Sequence, residues 1–225
     1  MLVLFDIDGT LMSGATEAHS RALDRAIHEV HGVYTKDLRR QIGPAGRTDG
    51  EIARLILLDL GVSARRIDER ADDVREACCR IYAQICPPDL SDRVVPGIAE
   101  LLPSLAARDG VTLALVTGNF EPVARLKLRR AGIGRWFPGG QGAFGSDSED
   151  RAALPRIARR RAGKVPRDQA IVIGDTPRDI ACARADGVRC IAVTTGQYGA
   201  DELGGADAVA RDARELRARL EELGV

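Results

Sequence analysis

The stretch Phe5–Leu11 reads Phe-Asp-Ile-Asp-Gly-Thr-Leu, and the interpretation of the whole chain depends on it. It continues the apolar run Leu2–Leu4 and contains a glycine turn, so the pattern predicts a buried strand with Asp6 and Asp8 at its carboxyl end. Two carboxylates this close repel each other. Inside an α/β protein they are tolerated only with a cation nearby or with one acid protonated. The stretch therefore indicates a charged site where the first strand ends.

On these residues alone, two other interpretations stay open. The first is a solvated turn after the strand, because Asp-x-Asp-Gly is a weak pattern by itself. The second is a calcium-binding loop. With the first aspartate of the stretch as position one, Asp8, Thr10 and Glu17 occupy ligand positions three, five and twelve. However, Leu11 stands where such a loop requires glycine, and a strand rather than a helix precedes it.

Length and composition narrow the class of protein. A chain of 225 residues allows one large α/β domain or a core domain with a smaller insert. The 33 basic and 33 acidic residues cancel, which gives no electrostatic argument for a nucleic-acid or anionic-membrane partner. There is no apolar run of membrane-spanning length and no signal-peptide pattern at the start. The five cysteines show no metal-ligand spacing, so we interpret them as buried thiols in a reducing compartment. We expect a cytoplasmic protein that requires no protein partner.

Helical periodicity dominates the residues after the first strand. The spacing of apolar residues predicts helices over residues 16–30, 49–60 and 64–85, with no strand among them. The segments that enter and leave this region contain glycine and prolines, as hinges often do. We therefore predict an all-helical domain of residues 14–93, inserted directly after the first strand.

Strands and helices alternate in the rest of the chain. The predicted strands and helices are, in order, helix 98–108, strand 111–116, helix 122–131, strand 170–173, helix 177–185 and strand 190–193. Such alternation predicts a parallel sheet with helices on both faces, in which ligands bind at the carboxyl ends of the strands. The predicted fold class is therefore α/β. Its core domain would comprise residues 1–13 and 94–225, with the helical insert covering the ligand-binding edge as a cap.

Three motifs suggest a known family. They are Asp6-x-Asp8-Gly9-Thr10-Leu11, Leu115-Val116-Thr117-Gly118-Asn119 and Gly174-Asp175-Thr176-Pro177-Arg178-Asp179. With these motifs the chain resembles the haloacid dehalogenase superfamily hydrolases that carry a helical cap after the first strand, and it is similar to phosphoglycolate phosphatases and β-phosphoglucomutases. The resemblance covers essentially the full length. It implies a Rossmann-like core and a magnesium-dependent phosphatase that acts on a small phosphorylated metabolite.

The resemblance also implies roles for the acidic residues. Asp6 would be the nucleophile that forms an aspartyl-phosphate, and Asp8 would be the general acid and then the general base. Mg²⁺ would be bound by the Asp6 carboxylate, the main-chain carbonyl of Asp8 and the Asp175 carboxylate. For Asp179 the alternatives are capping of the helix that follows Thr176 and support of the metal, and both can hold together.

Further residues would contact the substrate if the resemblance holds. Thr117 and the main-chain amides of Gly118 and Asn119 would bind phosphate oxygens at a helix N-terminus, and Gly9 would lie against the same phosphate. Arg47, in a Gly-Arg-Thr-Asp run of the cap, would face the core and contact a substrate anion. The alternative is that this run only starts the next helix.

The chain departs from the family pattern in its basic residues. Such phosphatases usually place a lysine before the metal-binding strand, but the chain has only Lys36, Lys127 and Lys164. We place the first in the cap, the second in the helix after Thr117, and the third in a turn at the other end of the sheet. Arg151 stands at the usual spacing, so we assign to it the neutralisation of the nucleophile and the phosphoryl group. The alternative for Arg151 is a plain surface charge.

Other functions and residues stay open. A phosphomutase of the β-phosphoglucomutase type is the nearest alternative, and a catalytically idle binding protein of the same fold is another. A dehalogenase is disfavoured, because it needs neither the leaving-group acid Asp8 nor the metal ligand Asp175. His19 and His28 are interpreted as surface or packing residues of the first cap helix, although His19 is close to where mutases carry a substrate-contacting histidine.

Overall fold

The computed structural model describes residues 1–35 and 41–225. Six parallel strands form one sheet in the order β3-β2-β1-β4-β5-β6. The strands are β1 Leu2–Phe5, β2 Thr112–Thr117, β3 Ala143–Phe144, β4 Ala170–Gly174, β5 Arg189–Val193 and β6 Ala208–Ala210. Because neighbouring strands run parallel, their carboxyl ends share one edge of the sheet.

The α-helices of the described residues fall into two groups. The helices that follow β1 up to residue 85 form the cap, and they are α1 Glu17–His31, α2 Asp49–Asp59, α3 Ala64–Glu69 and α4 Ala71–Ile85. The other group covers the sheet, and it comprises α5 Ile98–Ala106, α6 Glu121–Arg130, α7 Leu154–Arg161, α8 Pro177–Asp186 and α9 Ala213–Glu222. This arrangement confirms the predicted α/β fold with an inserted helical cap.

Strand β1 is buried on both faces of the sheet. Leu2 and Leu4 belong to one buried apolar layer, and Val3 and Phe5 belong to the other. The uninterrupted apolar sequence of β1 follows from this, because a strand covered by helices on both sides has no solvent-facing positions. β1 pairs with β2 on one side and with β4 on the other. Asp6, the first residue after β1, therefore emerges between the ends of two other strands.

The cap has an apolar core of its own. Helix α1 packs along α4, and buried residues such as Ile27, Ile56 and Cys78 fill the space between the cap helices. Phe120 and Val123, at the start of α6, join the same cluster. The cap therefore rests on α6 through apolar contacts. The boundaries at residues 14 and 93 stay a prediction.

Several predicted elements need correction. The single helix over residues 64–85 is wrong, because α3 and α4 are separated at Arg70, whose φ of −118° and ψ of 10° are not helical. Ile67, Val74 and Cys78 are all buried and keep helical spacing across this break, so periodicity could not reveal it. The short strands β3 and β6 were also missed. A strand of two or three residues is too short to show a period.

The cysteines and the lengths of the helices test the predictions made from composition. All five cysteines are free thiols, and Cys78, Cys182 and Cys190 are buried as predicted, whereas Cys79 and Cys86 are only partly buried. In the described ranges, the structure contains no helix with the length and apolarity of a membrane span. The cytoplasmic location stays a prediction.

Candidate active site

The turn after β1 places the first motif at the carboxyl edge of the sheet. The Asp6 amide donates to Ile173 O at 2.9 Å, which extends the β1–β4 pairing by one residue. The Asp6 side chain is buried, so the solvated-turn interpretation is wrong. Gly9 has a φ of +92°, and a Cβ at this position would overlap the Asp175 carboxylate. Only glycine fits, because the backbone is left-handed and a carboxylate lies directly against it.

Three buried carboxylates meet at this edge. The ligand atoms of Asp6, Asp175 and Asp179 all lie within 4.8 Å of one another. The parallel pairing of β1 with β4 brings Asp175 to Asp6, as predicted. The Thr10 hydroxyl donates to Asp175 Oδ1 at 3.3 Å. We call Asp6, Asp175 and Asp179 the acidic cluster.

Asp179 serves two structural purposes at once. It forms a capping box with Thr176, whose backbone N–H donates to Asp179 Oδ2 at 3.0 Å, so the predicted helix cap is confirmed. Its other oxygen, Oδ1, accepts from the Arg151 guanidinium. The start of α8 therefore holds this carboxylate rigidly beside the other two.

Arg151 is buried beside the acidic cluster. Its Nη2 donates to Asp6 Oδ1 at 3.1 Å and also to Asp179. Only 7% of the residue is exposed, so the alternative of a plain surface charge is wrong. The structure places Arg151 where a charge-neutralising residue would lie, although that role in catalysis stays a prediction.

The acidic cluster is electrostatically incomplete. Burial raises the pKa of Asp6 to about 7; Arg151 opposes the rise, and Asp179 and Asp8 add to it. Burial raises the pKa of Asp175 to about 8, with Asp6 and Asp179 adding to the rise. With all three carboxylates ionised, the single guanidinium would leave two buried negative charges uncompensated, and this is why the pKa values of Asp6 and Asp175 are raised. The oxygen donors and the excess charge of the cluster fit a divalent hard cation.

Asp8 has entirely different surroundings. Both of its carboxylate oxygens accept from Lys127 Nζ, at 2.8 and 2.7 Å, and Oδ2 also accepts from Asn119 Nδ2 at 2.9 Å. Burial alone would raise the pKa of Asp8, but its polar neighbours, Lys127 foremost, more than offset it, and the pKa lies below its ordinary value. Asp8 is therefore an ionised carboxylate that already has its counter-charge.

Lys127 is the residue at this site that the sequence interpretation missed. It was placed correctly in the helix after Thr117 but was given no part in the site, whereas its side chain is fully buried. A signal existed in the sequence. Lys127 lies three and four residues after Ala124 and Val123, which are both buried, so it falls on the apolar face of α6. Lysine is almost never fully buried without a partner.

The histidines and the remaining lysines singled out in the sequence have different surroundings, and only His19 among the described ones is part of the site. His19 is buried rather than on the surface, and it hydrogen-bonds Lys127 Nζ at 3.2 Å. His28 is half-buried and packs edge-on against Tyr34, with ring centroids 4.2 Å apart. Lys164 is exposed in the turn before β4, at the opposite edge of the sheet, as expected. Lys36 lies outside the described residues.

The second motif forms the loop that faces the cap. Thr117 is buried, and its Oγ1 accepts from the Asn119 amide at 3.3 Å. A Cβ on Gly118 would overlap the carbonyl oxygen of Arg47, so cap and core backbones touch here. The Gly118 carbonyl accepts from the Asp49 amide at 2.8 Å. The phosphate contacts assigned to Thr117, Gly118 and Asn119 stay a prediction.

Arg47 and the residue after it begin the second cap helix. Thr48 Oγ1 accepts from the Glu51 amide at 3.1 Å, so Thr48 is the N-cap of α2, as the helix-start alternative predicts. The Arg47 guanidinium pairs with Glu51 and donates to the carbonyls of Ile42 and Gly43, each at 3.3 Å. Arg47 also lines the cavity above the acidic residues. Its contact with a substrate anion stays a prediction.

A cavity of about 460 Å³ lies between cap and core. Asp6, Asp8, Gly9 and Asp175 line it from the core, and Arg151, Gly118 and Asn119 line it as well. Ser13, Thr16, His19 and Arg47 line it from the cap side. Its volume is that of a site for a small molecule, since such sites usually measure about 300–1,000 Å³.

A model of the haloacid dehalogenase-like hydrolase family matches residues 3–184, from β1 to within α8. The chain belongs to this family. It is 30% identical over 201 residues to the phosphoglycolate phosphatase of Rhodospirillum rubrum, and the match covers 86% of this chain and 79% of that protein. The family and its phosphatase relatives identify this haloacid dehalogenase-like hydrolase as a phosphatase.

Solved structures share the fold of this hydrolase. The β-phosphoglucomutase of Clostridium difficile has a TM-score of 0.71 at 18% identity, with 99% of this chain and 96% of that chain covered. CbbY from Rhodobacter sphaeroides, in complex with xylulose-1,5-bisphosphate, has a TM-score of 0.69 at 23% identity, with 96% and 95% covered. At these identities the likeness establishes the architecture alone.

Proposed function

We propose that this phosphatase is a magnesium-dependent phosphomonoester hydrolase that acts on a small phosphorylated metabolite through an aspartyl-phosphate on Asp6. One observation supports the proposal above all. Asp6 and Asp8 line the same cavity, yet one lies in an acidic cluster and the other is paired with a buried ammonium. The partners differ in kind: Asp6 adjoins a candidate cation site, whereas the counter-charge on Asp8 favours its ionised form, which the second chemical step needs.

The acidic cluster would hold Mg²⁺. Asp6 and Asp175 would supply carboxylate oxygens, the main-chain carbonyl of Asp8 would supply a third, and Asp179 would orient the cluster from the start of α8. When bound, the ion would offset the negative charge of the phosphoryl group and of the nucleophile. Arg151 supplies one further positive charge at Asp6.

The first chemical step would use both aspartates. An Asp6 carboxylate oxygen attacks phosphorus, the bond from phosphorus to the ester oxygen breaks, and Asp8 gives its proton to the departing alcohol. Asp8 must therefore be protonated at that moment. A phosphate dianion entering the cavity would favour this, because a nearby negative charge raises the pKa of a carboxyl group.

The second step would return Asp6 to its free form. Asp8, left ionised by the first step, takes a proton from water while that water attacks phosphorus, and the bond to Asp6 breaks. Lys127 and Asn119 stabilise the ionised form of Asp8 that this step needs. The products are inorganic phosphate and the unmodified carboxylate.

The substrate would be small enough for a cavity of about 460 Å³. Relatives named as phosphoglycolate phosphatases and the sugar bisphosphate bound by CbbY suggest the first compounds to test. The panel comprises 2-phosphoglycolate, pentulose bisphosphates and hexose phosphates.

The test is phosphate release from p-nitrophenyl phosphate and this panel, with Mg²⁺ and with EDTA. We expect turnover that needs Mg²⁺ and is abolished by Asp6→Asn. Asp168→Asn is the matched control, because Asp168 is an exposed aspartate before β4, at the opposite end of the strand from Asp175. Turnover that survives Asp6→Asn, or that EDTA leaves unchanged, would contradict the mechanism.

The phosphomutase alternative predicts different products. With a sugar monophosphate and a catalytic amount of the bisphosphate, a mutase would yield the isomeric monophosphate, whereas a phosphatase would yield inorganic phosphate and free sugar. An idle binding protein would bind Mg²⁺ without turnover of any compound in the panel. Phosphorus NMR of one reaction mixture distinguishes the three outcomes.

A further inference from the structure

We propose that Lys127 and His19 are positioning residues for Asp8, and that His19 holds this position only while the cap is docked on the core. The inference rests on the proposed function, because it assigns to Asp8 the proton transfer at the leaving group. It concerns residues outside the three motifs: Lys127 comes from α6 of the core, and His19 comes from α1 of the cap.

The hydrogen bonds of Lys127 are complete. An ammonium group has three N–H donors and no acceptor. The acceptors around Lys127 Nζ are the Asp8 carboxylate at 2.7–2.8 Å, Asn119 Oδ1 at 3.0 Å and His19 Nδ1 at 3.2 Å. Each donor therefore has one partner residue, with the donor toward Asp8 shared between its two oxygens, and the three partner residues come from the turn after β1, the second motif and the cap.

These contacts fix the hydrogen positions on two neighbours. Because Asn119 Oδ1 accepts from Lys127, its Nδ2 is the atom that faces Asp8 and donates to Oδ2. Because His19 Nδ1 accepts from Lys127, the ring hydrogen is on Nε2, which donates to Asp49 Oδ2 at 3.0 Å. His19 thus acts as a neutral imidazole that links an ammonium to a carboxylate.

Asp49 ties this chain of contacts to the docked position of the cap. Its Oδ2 also accepts from the Phe120 amide of the core at 2.7 Å, and its own amide donates to Gly118 O at 2.8 Å. His19 and Asp49 both belong to the cap, so a cap that left the core would remove both together. Lys127 would then lose one of its three acceptors.

The consequence is a fixed direction for the Asp8 carboxylate. Lys127 holds both oxygens and Asn119 holds one of them, so rotation of the carboxylate breaks charged hydrogen bonds. Asp8 lines the substrate cavity in this orientation. General acid catalysis depends on such positioning, because the proton must be within hydrogen-bond reach of the leaving oxygen.

Stability alone is a poor explanation for Lys127. A buried ion pair often contributes no more than well-packed apolar residues of similar volume, because both charges must be desolvated. The neighbours Val123, Ala124 and Leu128 are buried and apolar, so an apolar residue would suit this face of α6. The placement of a charge here points to function.

The test compares two esters in the intact protein with Mg²⁺. p-Nitrophenolate departs without a proton, whereas an alkyl ester such as 2-phosphoglycolate needs one. The kcat/KM value reports only the steps through departure of the alcohol. For Lys127→Met we expect kcat/KM to fall roughly 10²- to 10⁴-fold for the alkyl ester, the usual range for general acid–base catalysis, and at least tenfold less for the aryl ester.

His19 provides a matched pair of variants. The amide of His19→Gln can accept from Lys127 and donate to Asp49, as the neutral imidazole does, whereas His19→Leu can do neither. We expect His19→Leu to lower kcat/KM for the alkyl ester selectively, and His19→Gln to recover most of that loss. Leu128→Ala, at a buried position beside Lys127, is the control: it should affect both esters by the same factor.

An equal fall for both esters in Lys127→Met and His19→Leu would overturn the proposal, as would equal activity of the two His19 variants. If Lys127→Met does not fold, the His19 pair decides alone. Wild-type turnover separates this result from the proposed function. If only this inference fails, the variants lose activity equally on both esters while the wild-type protein still hydrolyses them. If the proposed function fails, the wild-type protein hydrolyses neither ester.

Discussion

Asp6 and Asp8 are two residues apart at the end of one strand, yet their surroundings have opposite sign. Asp6 lies among carboxylates from β4 and α8, with a single guanidinium for compensation. Asp8 lies against a fully buried ammonium and an amide N–H. The two side chains meet different parts of the molecule: Asp6 pairs with Arg151, and Asp8 pairs with Lys127 of α6.

The comparison shows how one strand end can serve two chemical purposes. The Asp6 side is made by the core sheet and leaves negative charge for a cation to neutralise. The Asp8 side is made by α6 and the cap, and it is already neutral. One cavity of about 460 Å³ can therefore hold two different groups: a nucleophile that needs a cation, and a proton-transfer group that needs none.

The first prediction concerns where the reaction stops. Asp6→Asn should form no phosphoenzyme from p-nitrophenyl phosphate, because the nucleophile is gone. Asp8→Asn should still form it, because p-nitrophenolate needs no proton, but hydrolysis of the phosphoenzyme should slow by roughly 10²- to 10⁴-fold. Intact-protein mass spectrometry after rapid acid quench measures the covalent adduct. An adduct on Asp6→Asn would remove the proposed distinction between the two aspartates.

The second prediction concerns stability on the Asp8 side. Lys127→Met leaves the Asp8 carboxylate buried without its counter-charge, which should lower the free energy of unfolding by about 3–5 kcal/mol. Adding Asp8→Asn to this variant should recover most of the loss, because the uncompensated charge disappears. Urea unfolding of the two single variants and the double variant at neutral pH measures the coupling. Additive losses would mean that the ion pair is not the cause.

The third prediction concerns pH and the acidic cluster in EDTA. The pKa of Asp175 is about 8 in the folded protein against 3.8 in the unfolded chain. The native state then binds the extra proton, so this group's contribution to the free energy of unfolding falls as pH rises from about 4 to about 8. Asp175→Asn lacks this loss and should gain stability relative to wild type across that window.

Asp8 should show the opposite sign in the same experiment. Its pKa is lowered by folding, so its contribution is present above 3.8 and is lost as pH falls through the folded value. Asp8→Asn should therefore lose stability relative to wild type as pH rises to about 4, and the difference should stay constant at higher pH. Thermal unfolding from about pH 2 to about pH 8 measures both differences, and a change in the same pH window for both variants would contradict the electrostatic contrast. Mg²⁺ should stabilise wild type more than Asp175→Asn.

The smallest expected effect belongs to a contact between cap and core outside both sets of residues. Arg54 of α2 donates to the Glu149 carboxylate at 2.5 and 3.1 Å, and both side chains are partly exposed. Arg54→Met should lower the free energy of unfolding by less than about 1 kcal/mol, as for other exposed ion pairs. It should change kcat/KM for the alkyl and aryl esters by the same factor. A selective loss for the alkyl ester would assign to Arg54 an effect on Asp8.

Much of the acidic side of the site could be predicted from sequence. Asp6 and Asp175 each follow a continuous apolar run, and parallel strands place such ends along one edge. The capping of α8 by Thr176 and Asp179 could also be predicted, since a capping box is local in sequence. Arg151 was assigned through family spacing. The residues that surround Asp6 were therefore almost all predicted from the sequence.

The Asp8 side could not be predicted in the same way. Helical periodicity places Lys127 on the buried face of α6, but it does not say that β1 and the cap meet that face. His19 and Asp49 were separated from Lys127 by 108 and 78 positions, and no local rule pairs them. The break at Arg70 could not be predicted for a related reason. The buried apolar residues of the two flanking helices keep one helical spacing across it.

Sequence by itself determined the α/β class, the family, the strand ends with their carboxylates, and the helix caps, because each of these depends on neighbouring residues or on a short repeat. Tertiary structure alone decided which charges compensate each other. Asp6 and Asp8 have the same side chain and lie two residues apart, and only the packing of α6 and the cap gives one of them a buried ammonium. Electrostatic free energy depends on the distance between charges and on their burial, and neither can be derived from the order of residues alone.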